Sequence, residues 1–301
     1  AAAVPKVNET RVDEHRNLGI AFYKAGMLEE ALREFRRVIE LRPTDGGAPL
    51  FLGLIAIRQA RWEEAAESLR HATAAGVPRP AALHNLGYAL EQLGRLDEAE
   101  AAYGDAAGRA KDDSRIMLGW SVVALKRGDH KVAQSRLARA CELLEGKPVP
   151  ALWYWAATLA ASGLDDTENA LRIAREGVAA YPTNAVLQNN LAVLLETSGD
   201  LAGAEALLRS ALAEDAALPQ VSKNLADVLY RNGRYEEAGE AYERAAKLNP
   251  ELGDDLYFKL GNIAYKRRDY ARARESWAQA TTLNPGHQLA RANLEMLDLT
   301  Q

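Results

Sequence analysis

The stretch Asp254–Gly286, DDLYFKLGNIAYKRRDYARARESWAQATTLNPG, decides how the rest of the chain is read. Leu260-Gly261 and Ala264 sit in one run of helix formers, Arg268-Asp269-Tyr270 makes a turn, and Ala273, Trp277 and Ala280 sit in a second run. Asn284-Pro285 ends it, because proline cannot continue a helix without losing a hydrogen bond. The small residue of the first run recurs at Gly19, Gly53, Gly87, Ser121, Ala157, Ala192, Ala226 and Gly261, in steps of 34, 34, 34, 36, 35, 34 and 35 residues. A leucine precedes it at Leu18, Leu52, Leu86, Leu191, Leu225 and Leu260. A second small residue recurs at Ala31, Ala65, Ala99, Ala133, Ala170, Ala204, Ala238 and Ala273. Four residues later stands a large one: Phe35, Leu69, Tyr103, Leu137, Tyr242 and Trp277.

Small residues let two antiparallel helices approach closely, and large residues one turn away fill the space beside them. One such pair cannot bury its apolar face alone, so neighbouring pairs must stack. A chain of 301 residues would ordinarily split into two compact domains. The fixed period predicts one elongated solenoid instead.

Charged residues make up 26% and hydrophobic residues 48%, which excludes a disordered chain. The net charge of -5 argues against nucleic acid as the main partner. A single cysteine, Cys141, excludes an internal disulfide framework. No apolar run reaches the roughly 18 residues of a membrane span, so no direct membrane insertion is expected. No signal-peptide pattern opens the chain, and a cytoplasmic location is expected, with the periplasm open if an N-terminal signal has been removed.

With its Leu-Gly in the first helix, its Ala and large residue in the second and its closing proline at Pro43, Pro182, Pro250 and Pro285, the unit resembles the tetratricopeptide repeat. The resemblance implies an all-α, right-handed superhelix of eight helix-turn-helix repeats. They span 12–45, 46–79, 80–113, 114–149, 150–184, 185–218, 219–253 and 254–286, after a leader at 1–11. Residues 287–301 are expected to form a capping helix, with the charged Arg291, Glu295 and Asp298 where a further helix would have to pack. Gly146-Lys147-Pro148-Val149-Pro150 replaces the usual turn, either as a kink between two four-repeat halves or as a tolerated loop change.

Catalysis finds little support. His15, His71, His84, His130 and His287 are scattered with no pair at ligand spacing, and no glycine-rich phosphate loop follows a strand. No metal, cofactor or catalytic residue is expected. The family implies protein–protein interaction through the inner, concave face of the first helices. Its register positions give a candidate partner-binding groove of Asn17, Phe51, Leu54, Asn85, Tyr88, Val122, Tyr154, Trp155, Asn190, Lys223, Asn224, Asp227, Arg231, Lys259, Asn262 and Lys266. The apolar part, Phe51 to Trp155, reads as a groove for an amphipathic helix or as side chains that fill the fold; the polar part offers donors for a peptide. Asn17, Asn85, Asn190 and Asn224 share one position, but only the last two are in adjacent repeats, so a continuous asparagine ladder is not expected. Repeat seven has Lys223 but Asp227, which would repel the terminal carboxylate held by co-chaperone clamps. The expected function is a non-catalytic scaffold or adaptor. The alternatives are the substrate-recruiting arm of a larger glycosyl- or methyltransferase and a self-assembling homo-oligomer.

Overall fold

The computed structural model describes residues 6–75 and 80–299, which hold seventeen helices and no strand. Residues 76–79 and the chain ends lie outside the described residues. The chain divides into two compact units at the Pro148–Pro150 linker, residues 1–149 and 150–301. The division falls at the proline-bearing linker, where the sequence allows either a kink between two four-repeat halves or a tolerated loop change.

The first unit pairs α1 (Lys6–Lys24) with α2 (Leu28–Leu41), α3 (Gly47–Arg58) with α4 (Trp62–Ala74), α5 (Pro80–Gln92) with α6 (Leu96–Arg109), and α7 (Ser114–Lys126) with α8 (His130–Glu142). The second pairs α9 (Ala151–Gly163) with α10 (Thr167–Ala180), α11 (Ala185–Ser198) with α12 (Leu201–Glu214), α13 (Pro219–Arg231) with α14 (Tyr235–Leu248), and α15 (Asp254–Lys266) with α16 (Tyr270–Leu283), followed by α17 (Gln288–Leu299). The first helix of each pair is termed helix A and the second helix B. Within each unit helix A of one repeat also packs on helix B of the repeat before it.

The small-on-large pairing sets the distance between the two helices. A Cβ added at Gly19 would lie 2.8 Å from the Phe35 ring, at Gly53 2.6 Å from Leu69, at Gly87 2.7 Å from Tyr103, and at Gly261 2.4 Å from Trp277. These four large residues are fully buried. Repeat five inverts the arrangement. Its helix B carries Ala174 where the others carry a large side chain, and the space is filled from helix A: a Cβ at Gly177 would come 2.8 Å from Tyr154 Cβ. Tyr154 is therefore a packing residue, with its ring edge against Trp153 at 5.5 Å and against Tyr181 at 6.3 Å.

Each A–B turn needs one left-handed residue. Glycine supplies it in five repeats, and Ala60, Asp165 and Arg268 take it with φ of 54°, 59° and 62°.

The inversion in repeat five has a measurable consequence. Gly177→Ala is expected to lower stability by about 1–3 kcal/mol, because Tyr154 Cβ is anchored to its own backbone and cannot swing aside. Gly104→Ala, where the nearest side-chain atom would be at 3.6 Å, is expected to be neutral or stabilising by up to about 1 kcal/mol. Urea denaturation of the two variants checks the contrast.

Candidate functional site

The inner face of a repeat is written by the helix-A positions that do not touch helix B. In the second unit those positions belong to α9, α11, α13, α15 and α17, and from α11 onward polar side chains tie each helix to the next. Asn224 donates to Asn189 Oδ1 at 2.8 Å and accepts from Gln220 at 2.9 Å, joining α13 to α11. Arg231 donates to the Glu196 carboxylate at 3.1 Å and to its backbone carbonyl at 3.0 Å. Asn293 donates to Asn262 Oδ1 at 3.4 Å, joining α17 to α15, and Asn262 also accepts from Trp277 Nε1 at 3.1 Å.

Between α13 and α15 the ties are ionic. Lys223 reaches Asp227 at 3.2 Å, one turn along its own helix, and Asp255 at 2.8 Å on the next helix A. Lys259 closes on Asp227 and stands 3.7 Å from Asp255. Tyr242 from α14 donates its hydroxyl to the same Asp227 at 2.5 Å. Two ammonium groups and two carboxylates thus form a neutral lattice around Asp227, Lys223 and Lys259, all mostly shielded from water.

Burial alone would lower Lys223, yet its hydrogen bond to Asp255 and the charges of Asp227 and Asp255 hold it above the ordinary lysine value. Burial works against the charge of Asp255 too, and the hydrogen bond and charge of Lys223 outweigh it, leaving this carboxyl below the usual range. Burial and the Asp227 charge push the Tyr242 phenol up.

Several expected groove residues are buried or spent on contacts within the fold. Asn224 is only 8% exposed, and its amide is spent on Gln220 and Asn189. Val122 is 6% exposed, since α7 is packed against α5, α6 and α8. Phe51 stacks flat on Phe35 at 4.8 Å and meets the Tyr23 edge at 5.5 Å, and Leu54 packs against the neighbouring core. With Tyr154, these apolar side chains build the fold. Asn85 donates to the Ala81 carbonyl of its own helix, and Asn190 and Trp155 are half-buried. Asn17 and Arg231 are exposed, as are Tyr88, edge-on to Trp62 at 5.7 Å, and Lys266, 3.9 Å above the Tyr235 ring.

Asp255, Tyr242 and Gln220 were missed as members of the lattice. Asp255 and Gln220 occupy the second, inner-facing position of helix A, so register marks them; Tyr242 reads in sequence only as a packing aromatic. His84, at an inner position of α5, stands against the Tyr103 ring, and burial pushes its imidazolium down.

Family models described as tetratricopeptide repeat match residues 12–45, 219–252 and 254–287, residues 50–114, and residues 185–213. The chain belongs to the tetratricopeptide repeat family. The unmatched repeats four and five are those where Ser121 replaces the helix-A glycine and where the tetratricopeptide pairing is inverted at Tyr154–Gly177. The tetratricopeptide fold is similar to that of a chain in the APC/C hetero-tetramer Cut9-Hcn1, at a TM-score of 0.72 and 13% identity over 93% of this chain. The match spans 54% of that chain. It is similar also to a tetratricopeptide repeat protein from Parabacteroides merdae (TM-score 0.69, 16% identity, 84% of this chain and 99% of that one). A third similar structure is pilF of Pseudomonas aeruginosa (0.63, 19%, 74% and 97%). No curated protein sequence matches the chain. No described helix is long and apolar enough to cross a membrane.

The ionic lattice makes stability depend on pH at both ends. A raised lysine contributes fully below its ordinary value of about 10.4 and loses its contribution as pH rises through the folded value. A depressed aspartate contributes above its ordinary value of about 3.9 and loses its contribution as pH falls through the folded value. Lys223→Met is therefore expected to cost about 2 kcal/mol between about pH 5 and 9, discounted for the half-exposed Asp255, and less beyond about pH 4 and 10.5. Urea midpoints across pH check it; a pH-independent difference contradicts the lattice.

Proposed function

We propose that this chain is a non-catalytic interaction scaffold that holds a segment of another protein on the inner faces of its A helices. The observation that carries the reading is the division of labour along helix A. The positions that meet helix B repeat the same small residues, while the inner positions differ from repeat to repeat and hold hydrogen-bonding groups in place through Asn189–Asn224, Lys223–Asp255 and Asn262–Asn293. Preorganised polar groups lose little freedom on binding, which favours recognition of one segment over many. Each unit keeps one tyrosine exposed at an inner helix-A position, Tyr88 in the first and Tyr265 in the second. Exposed aromatics with one polar end are the side chains that most often anchor a partner. A chain of similar fold is part of the hetero-tetramer Cut9-Hcn1, which fits a role in assembly.

Affinity capture with the whole chain as bait, followed by mass spectrometry, tests the reading. A protein enriched by the wild-type chain is expected to fall at least about tenfold with Tyr88→Ala plus Tyr265→Ala, since one aromatic anchor contributes about 2 kcal/mol. The thermal melt should show that the variant is folded. Capture that is unchanged by both substitutions contradicts the scaffold reading.

A further inference from the structure

Five residues after the small residue that faces helix B, helix A carries Arg58, Lys126, Arg231 and Lys266 in repeats two, four, seven and eight. This is the last turn of the helix, where the backbone dipole favours a cation. From there the side chain reaches back to the repeat before it. Arg58 stands 4.0 Å over the Tyr23 ring, Lys126 is 2.7 Å from the Glu91 carboxylate, and Arg231 is 3.1 Å from that of Glu196. Tyr23, Glu91 and Glu196 share one register position, four residues after the small residue of their own helix A. Lys266 lies 3.9 Å over Tyr235, whose ring meets that same receiving position, Tyr230, at 5.2 Å.

The two positions vary together along the chain. Where the receiving residue is Tyr or Glu, the next helix A carries a cation. Where it is Ile57, Leu125 or Ala161, the next helix A carries Gln92, Ser162 or Thr197. A carboxylate and the face of an aromatic ring both attract a cation, and an aliphatic side chain does not. Tyr265 breaks the pattern. Its cation position falls on Thr300, an uncharged residue outside the described residues. Tyr265 and Tyr270, with ring centroids 5.5 Å apart, repeat the Tyr230–Tyr235 pair, and Tyr265 rests on Trp277 as Tyr230 rests on Tyr242. The two rings are 39% and 41% exposed, and among the described residues no cation lies over either.

The setting favours a cation here. The residue before Tyr235 is Arg234, whereas the residue before Tyr270 is the exposed Asp269, whose carboxylate accepts from Arg272 N at 3.1 Å. The net charge of -5 draws cations to the chain as a whole. The basic residues that follow Tyr265 do not bar one: Lys24 follows Tyr23 in the same way, and Arg58 lies on that ring. We propose that the Tyr265–Tyr270 pair receives a lysine or arginine side chain of the partner segment, in the role that the following helix A fills in earlier repeats. A second copy of this chain does not supply it by continuing the stack, because α17 already packs on α16 in the place of the next helix A.

This inference rests on the scaffold reading, and it has its own test. Acetyl-arginine amide, its uncharged isostere acetyl-citrulline amide, and choline are titrated into the whole chain carrying isotope-labelled tyrosines. The ring signals, assigned with single Tyr→Phe variants, are followed by NMR. The arginine compound is expected to shift Tyr265 and Tyr270 and to bind about threefold tighter than the citrulline compound, or more. Tyr265→Leu plus Tyr270→Leu should abolish that binding, and the Tyr235 ring, already covered by Lys266, should not respond. In Lys266→Ala that cover is gone, and Tyr235 should then respond to the arginine compound as Tyr265 does. Lys266 is exposed, so this arm holds even where the leucine variant melts early. Equal binding of the arginine and citrulline compounds, or a Tyr235 ring that stays silent in Lys266→Ala, overturns the proposal. Tighter binding of choline than of the arginine compound overturns its assignment to a side chain. If these fail while capture still depends on Tyr88 and Tyr265, the cation inference falls and the scaffold reading stands.

Discussion

The contact on which the structure depends is the close approach of helices A and B within each repeat. A glycine on one helix faces a ring or a leucine on the other with no room for one further carbon, as at Gly261 and Trp277. Close-packed interiors tolerate neither a void nor an extra methyl group there, so the contact fixes both separation and register. Once one side of helix A is committed to helix B, its remaining positions are free to differ. Repeat five shows that the constraint is on the sum of volumes and not on which helix carries the large residue. Tyr154 moves to helix A, and Ala174 and Gly177 give way on helix B.

The inner face of the second unit uses that freedom for polar ties. Buried ion pairs are a weak source of stability, because desolvation consumes most of the attraction. Asp227 accepts from Lys223, Lys259 and Tyr242 at once, so none of these groups is left unpaired. Such a lattice does more for position than for stability: it holds α13 and α15 in one relative setting and removes net charge from the middle of the face.

Much of the fold was legible in the sequence. The steps between Gly19 and Gly261 give the hairpins, and the glycines of the A–B turns mark where one helix yields to the next. The site was less so. Whether Phe51 lines a groove or stacks on Phe35 depends on how two helices meet, and the same inner register holds the exposed Tyr88 and the buried Val122. Asp227 has only Lys223, one turn away, beside it in sequence until α15 brings Lys259 to it from 32 residues away. Arg291, Glu295 and Asp298 of α17 are exposed, and the exposed Leu289, Met296 and Leu299 beside them read in sequence as the ordinary content of a packed helix. The division at the Pro148–Pro150 linker is a property of contacts, which no count of repeats contains.

Helix A and helix B of a repeat are held apart by a single saturated contact. A double-mutant cycle on Gly261→Ala and Trp277→Ala measures it most directly, by urea denaturation of the whole chain. Each single change should destabilise, and loss of the indole should make room for the added methyl, so that the two costs fall short of their sum by about 1 kcal/mol or more. Additive costs within about 0.3 kcal/mol would contradict the claim, because the methyl and the indole would then not compete for the same space.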